Sequence, residues 1–390
     1  MNKNVWLLFV CQALVNASSI SQVSMSALIG YSLSPDKTLA TLPYALQMAA
    51  TMAASIPAGI VFSRLGRKPG FYLGGAAMLL GTAIFGLGVL RGNFLIYCLG
   101  AIPTGLGFGI GQHFRFAAAE VASTEARARA IALVMAGGVV AAIIGPELVI
   151  HSKALFAPVL FLGTYAAMCM LPLIGMMLLA FTQLPPAPPR VASPTPLGVI
   201  IARPAFLTAV VAALVAYGAM NLIMTATPLQ MMLCGFGVDD STDVIRAHAI
   251  AMFAPGFLTG PLIRRIGVHK VILAGGLLTL LCAGLSLAGS AFGNFVGALM
   301  ILGLGWNFMF VGATTLLATA YSHAERVRAQ AANDFIVFGT VAMTSFTSGY
   351  LQSSLGWIAV NASIVPPMLV ALGLVLWHLA HLARSPSVAA

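Results

Sequence analysis

Two stretches, GIVFSRLGRKPG at residues 59–70 and GPLIRRIGVHK at residues 260–270, follow one plan. Each opens on glycine (Gly59, Gly260), carries basic residues (Arg64, Arg67 and Lys68 in the first copy, Arg264, Arg265 and Lys270 in the second), and sets a further glycine seven positions on, Gly66 or Gly267. That pattern is what a repeated tight turn between two helices requires, and it predicts that each half of the chain began as the same fold.

The sequence flanking both turns is apolar for the length of a bilayer crossing. The chain of 390 residues is 60% hydrophobic and 7% charged, with a mean hydropathy of +0.99. No single water-soluble core hides that much apolar surface, so a membrane protein is expected. Twelve spans are predicted, near 5–31, 38–62, 70–90, 94–117, 130–151, 156–182, 205–232, 243–263, 271–290, 294–320, 331–351 and 356–381. The opening apolar run continues to about Leu33 without a small-residue cleavage site and reads as a retained first span.

With both ends inside, the inner loops collect Lys3, Arg64, Arg67, Lys68, Arg127, Arg129, Arg190, Arg203, Arg264, Arg265, Lys270, Arg326, Arg328 and Arg384, most of the 19 basic residues. The opposite side receives Lys37, Arg91, Lys153 and Arg246, so charge and helix count agree on an amino-in, carboxy-in, multi-pass topology. The net charge of +10 then belongs to short loops facing anionic lipid, and no nucleic-acid partner is expected. Five cysteines, odd in number and mostly within spans, imply no disulfide framework. The proline-rich LPPAPPRVASPTPLG, residues 184–198, divides six spans from six. The expected organisation is a six-helix bundle over 1–183, a cytoplasmic linker over 184–204 and a second six-helix bundle over 205–390.

The loop at Gly59, Arg64, Gly66, Arg67 and Lys68 resembles the signature loop of the major facilitator superfamily. Ser63 stands where that family usually has aspartate. The second copy matches through Gly260, Leu262, Arg265 and Gly267 and also lacks the acid. The resemblance covers nearly the whole chain and implies an all-α fold of twelve transmembrane helices in two parallel six-helix repeats. It also implies a site between the halves, opened alternately as they rock. In the family the loop's charge contacts latch one conformation, and two missing acids predict a weaker ionic latch here. GGVVAAIIGPEL, residues 137–148, puts small residues and Pro146 in the fifth span, which permits a close approach and a kink. It resembles the fifth-helix motif of the superfamily's antiporters, except that Glu147 follows the proline.

Soft donors recur in the outer halves of spans seven and eight. Met220 and Met224 in MNLIM, and His248 and Met252 in HAIAM, are each one turn apart on one helix face. Counted from the outer helix ends at 1.5 Å per residue, Met224 and His248 lie roughly 10 and 8 Å deep, and Met220 and Met252 near 15 Å. Thioethers with a neutral imidazole suit Cu(I), although the composition alone yields such spacings by chance and ordinary packing explains them equally. An imidazole within a span is the stronger signal. Met25, Met48, Met52, Met231, Met232, Cys234, Met309 and Met343 are candidates for an auxiliary metal path or for core and lipid packing. Asp239, Asp240 and Asp243 read as a helix cap.

The paired motifs resemble those of bacterial major-facilitator copper importers that support cbb-type cytochrome oxidase assembly. That resemblance makes Met220, Met224, His248 and Met252 the copper-handling residues, in a bacterial inner-membrane importer served by copper donor or acceptor proteins. Copper would be cargo, and no cofactor is expected. Arg115 within span four, with Glu147 or Glu120 as partner, and Asp334 at span eleven are candidates for coupling, gating or structural pairing. No GxxxxGK[ST] sequence is present, so nucleotide-driven transport is unsupported and no enzyme is expected. Two other readings stand beside copper import: a transporter or exporter of a small organic molecule, and a copper-responsive sensor or assembly scaffold.

Overall fold

In hydrocarbon every backbone N–H and C=O has to be paired within its own segment, and a helix does this one crossing at a time. All twelve expected spans are helical in the computed structural model, which describes residues 3–123, 127–184, 195–322 and 324–384. In chain order the helices of the first half are α1 (Lys3–Leu33), α2 (Leu42–Leu65), α3 (Arg67–Arg91), α4 (Phe94–Gly111), α5 (Phe114–Val121), α6 (Arg127–Ser152) and α7 (Leu162–Ala180). A short α8 (Leu197–Ile201) leads into α9 (Pro204–Leu233), α10 (Val238–Phe253), α11 (Gly256–Ile266), α12 (Val268–Leu287), α13 (Phe292–Ala318), α14 (Arg326–Ser354), α15 (Gly356–Ser363) and α16 (Val365–Arg384). Arg190 and the centre of the linker lie outside the described residues, as do the surroundings of Gly59 and the side chains of Arg127, Arg129 and Arg384.

Three expected spans are broken. The fourth becomes α4 and α5, the eighth α10 and α11, and the twelfth α15 and α16. Pro255 interrupts the eighth, as its missing N–H and ring clash dictate. The sixth starts at Leu162, later than expected, because residues 153–161 form turns. Among the described residues nine helical stretches are long and apolar enough to cross a membrane. The other three expected spans are α2, the α10–α11 pair and α14. Polar side chains on α14 are used inside the protein: Asn221 Nδ2 of α9 donates to the Val341 carbonyl (3.2 Å) and to Thr344 (3.1 Å) and Ser345 (2.7 Å).

The two signature turns share one geometry. Gly66 has φ 87° and ψ 168°, and its N–H caps α2 on the Phe62 carbonyl. Gly267 has φ 90° and ψ 150°, and its N–H caps α11 on Ile263. Only glycine occupies that region without strain. The missing acid of the first loop is supplied from elsewhere: Arg67 pairs with Glu120 of α5 at 2.5 Å, and Lys68 Nζ donates to the carbonyls of Ala180 and Thr182. The first loop is therefore ionically tied, contrary to the expectation from Ser63, while Arg64 stays exposed. Among the described residues Arg264 and Arg265 pair with no acid.

Glycines let backbones meet inside each half. A Cβ on Gly105 would stand 2.1 Å from the Gln47 carbonyl of α2, and one on Gly107 2.4 Å from the Gly74 carbonyl of α3. In α6, Gly137 and Gly145 lie against α1 at Phe9 and Ala17, which is the close approach that the GGVVAAIIGPEL stretch predicts. A closed triangle, Gln22 to Tyr97 (3.4 Å), Tyr97 to Tyr165 (2.7 Å) and Tyr165 back to Gln22 (3.0 Å), fixes the core of the first half.

The halves are fastened at the end remote from the linker, here the distal face. Along α2 and α14, the Gly349 N–H donates to Thr41 Oγ1 (3.1 Å), and the Ser353 hydroxyl donates to the Lys37 carbonyl (3.0 Å). Along α6 and α10, Arg246 pairs with Glu147 at 2.8 Å, and Lys153 pairs with Asp239. Of the acidic turn, only Asp240 caps α10, accepting from the Gly237 N–H (2.9 Å). Asp239 is instead spent on the first half, and Asp243 meets Arg246 at 3.3 Å.

Candidate functional site

The middle of the seam between the halves is lined on the second-half side by aromatic rings. Counted at 1.5 Å per residue from the linker ends of their spans, with Phe253 counted from Ile266 at the end of α11, Tyr217, Phe253, Trp306, Phe310 and Phe338 all fall roughly 12–20 Å in. Trp306 and Phe310, one turn apart on α13, stack with centroids 4.9 Å apart and planes at 13°. Tyr217 of α9 meets both edge-on, at 5.4 and 5.3 Å, and lies 6.1 Å from Phe338 of α14. Phe253, the last residue of α10, is edge-on to Trp306 at 6.2 Å. Edge-to-face and offset arrangements at these separations are the favourable ones for rings carrying a quadrupole.

This aromatic wall borders the first half directly. Phe253 fills the space over Gly138 of α6, where a Cβ would come within 2.5 Å of its ring. Tyr217 lies within electrostatic reach of Arg115 on α5 and of Tyr44 on α2, whose hydroxyl interacts with Ser19 of α1. Arg115 Nη2 stands 3.9 Å from Asp334 Oδ2 across the seam. Asp334 lies one turn before Phe338 on the same face of α14, which puts the ion pair at the linker-side rim of the rings.

Unpaired polar atoms mark the same region. Trp306 is 5% exposed, yet its Nε1 has no hydrogen-bond partner, nor has Arg115 Nε. Buried donors and acceptors are almost always satisfied, so the Trp306 donor calls for a partner that its ring neighbours do not supply.

The four sequence-predicted metal residues, Met220, Met224, His248 and Met252, are all buried. Met220, Met224 and Met252 belong to one buried apolar cluster together with Met48, Met231 and Met309. His248 is fully buried; its Nδ1 donates to the Leu299 carbonyl at 2.8 Å, which leaves Nε2 as an acceptor without a partner. Met25 sits in a separate first-half cluster around Tyr97 and Tyr165, and Met52 lies against Gly339 of α14. Met343 is 71% exposed, Met232 is half-buried, and the exposed Cys234 accepts from Gln230 at the end of α9. Among the described residues no group of three or more His, Cys, Asp or Glu side chains could hold a metal ion. Glu147 serves the distal face and Glu120 serves Arg67, so Arg115 takes Asp334 instead of either.

Sequence reasoning passed over the aromatic wall. One signal was available: tryptophan in membrane helices concentrates at the water interfaces, whereas Trp306 stands near the middle of a 27-residue helix.

Comparisons with known proteins agree on the family. A model of the Major Facilitator Superfamily matches residues 5–254. The riboflavin transporter RfnT of Brucella anthropi is 38% identical over 377 residues, covering 96% of this chain and 94% of that protein. The uncharacterized MFS-type transporter YddS of Bacillus subtilis is 25% identical, covering 96% and 91%. Among solved structures, a D-xylose-proton symporter superposes with a TM-score of 0.74 at 13% identity, covering 96% of each chain. The fucose:proton symporter FucP of E. coli gives 0.64 at 16%, covering 96% of this chain and 97% of that one; at such identities the likeness speaks for the fold alone. With twelve helical spans, two signature turns of like backbone conformation and relatives matched from end to end, this chain belongs to the major facilitator superfamily and is a multi-pass secondary transporter.

Proposed function

We propose that the cargo is riboflavin or a close flavin relative, carried across a bacterial inner membrane by alternating access, with the linker face toward the cytoplasm. The observation that carries this reading is the 38% identity to a riboflavin transporter, sustained over 96% of the chain. The aromatic seam supports it, because a flat three-ring heterocycle needs rings to lie against and a few donors for its edge. The positive-inside distribution of basic residues supports the orientation. Fastening at the distal face then corresponds to a conformation closed toward the outside.

The copper reading gives way to this one. The relative matched from end to end that has a named cargo is named for an organic molecule. In favour of copper there remains the unpartnered Nε2 of His248, with three thioethers in the same buried half.

Purified protein in proteoliposomes separates the two. Saturable uptake of radiolabelled riboflavin, with no uptake of cuprous ion above empty liposomes, is the expected result. Cuprous uptake that disappears in Met224→Leu and His248→Gln, with riboflavin left outside, would reverse the assignment.

A further inference from the structure

A planar cargo crossing this seam meets the two halves unequally. The second half offers aromatic rings on Tyr217, Phe310 and Phe338, each half-buried, with Tyr217 within electrostatic reach of Arg115 of the first half. Among them stands one indole whose N–H has no acceptor although the side chain is only 5% exposed. Leaving a buried donor unsatisfied costs about 1–3 kcal/mol, and an apolar ring of the same shape would avoid that cost. Its presence is accounted for if an acceptor arrives with the cargo.

We propose that Tyr217, Trp306, Phe310 and Phe338 form the subsite for the ring system, with the Trp306 Nε1–H donating to an edge carbonyl of a planar heteroaromatic cargo. This rests on the flavin reading and adds to it which part of the cargo is read, and by which half. Phe253 covers the subsite in the present conformation: it lies edge-on to Trp306 on one side and fills the space over Gly138 on the other. It also ends α10 immediately before the break at Ala254 and Pro255. Rocking of α6 away from α10 removes the Gly138 support, and the phenyl ring can then turn off the indole edge. Arg115 lies at the rim, where its unpartnered Nε offers a second donor to the same edge.

The test is riboflavin fluorescence with the purified full-length chain in detergent, since stacking against tyrosine and tryptophan quenches flavin emission. The expected result is saturable quenching, competed by lumichrome, which is the ring system without the polyol tail, and not by ribitol. Trp306→Phe keeps a ring and deletes the donor, and is expected to weaken binding about tenfold. Phe338→Leu is expected to weaken it by a similar factor. Both variants should elute and melt as the parent does; if Trp306→Phe does not, Phe338→Leu and the lumichrome competition carry the decision. Parental binding that is unchanged in both variants, or competed by ribitol alone, overturns the subsite and leaves the flavin reading intact. No riboflavin binding by the parent overturns both.

Discussion

Arg246 of α10 reaches Glu147 of α6 at 2.8 Å, and this bond joins the two halves of the chain at their distal ends. Glu147 is 42% exposed, and exposed pairs contribute about 0.2–1 kcal/mol. Glu147→Gln should therefore shift the balance between distal-closed and distal-open forms by a factor of about 1.5–5. Spin labels at the distal ends of α6 and α10 would report it as a larger population at long separation. An unchanged distance distribution would remove Glu147 from the fastening.

Gly66 and Gly267 occupy the same positive-φ region. Alanine at either should cost about 1–3 kcal/mol of backbone strain. Comparable drops in melting temperature for Gly66→Ala and Gly267→Ala are expected in detergent. A loss confined to one would show that only one turn is under conformational demand.

Packing predicts an opposite pair. Gly105→Ala places a methyl group 2.1 Å from the Gln47 carbonyl and has to push α2 from α4, whereas Gly284→Ala meets nothing within 4 Å. The first should lower the yield of folded protein severely and the second should be neutral, as read by size-exclusion chromatography of a fluorescent fusion.

At the linker face, Arg203 pairs with Glu325 at 2.8 Å. Arg203, followed by the Ser322 N–H, holds the Glu325 carboxyl well below the usual carboxylate range. A depressed acid adds stability above its unfolded pKa of about 4.3 and loses it as pH falls through the folded value. Glu325→Gln should thus melt lower than the parent at pH 7, and the gap should narrow below about pH 4. A gap independent of pH would mean that the charge is irrelevant and only the hydrogen bonds count.

Gly138 offers a functional test distinct from binding. Valine there occupies the space that Phe253 fills, so Gly138→Val should block closure of the seam at mid-depth. Riboflavin uptake should fall at least tenfold while the protein still elutes as a monodisperse peak. Unimpaired uptake would show that Phe253 does not move against α6 in transport.

What the sequence made legible was periodic or conformational. Apolar length located the helices to within a few residues, because a bilayer demands it, and the Gly66 and Gly267 repeat marked the duplicated turn, because only glycine suits that backbone. Relationships between distant residues stayed hidden. Glu120 supplies the acid missing at Ser63 from a different helix, and nothing local to GIVFSRLGRKPG announces it. The seam was missed for the same reason: Tyr217, Trp306 and Phe338 lie on three helices whose rotations no single sequence reveals. Sulfur spacing in MNLIM and HAIAM was visible and drew attention to a short resemblance, whereas identity with a riboflavin transporter runs the length of the chain.

The two distal seams are built from unlike chemistry. Thr41 with Gly349 and Lys37 with Ser353 use hydrogen bonds that involve the main chain, which ions in solution barely touch. Glu147 with Arg246 and Lys153 with Asp239 are charge pairs, screened over about 8 Å at physiological ionic strength. Raising the salt concentration should weaken the charged edge more than the hydrogen-bonded one. Salt should therefore favour a skewed parting of the halves, with the α2–α14 edge as the hinge and the wider gap between α6 and α10.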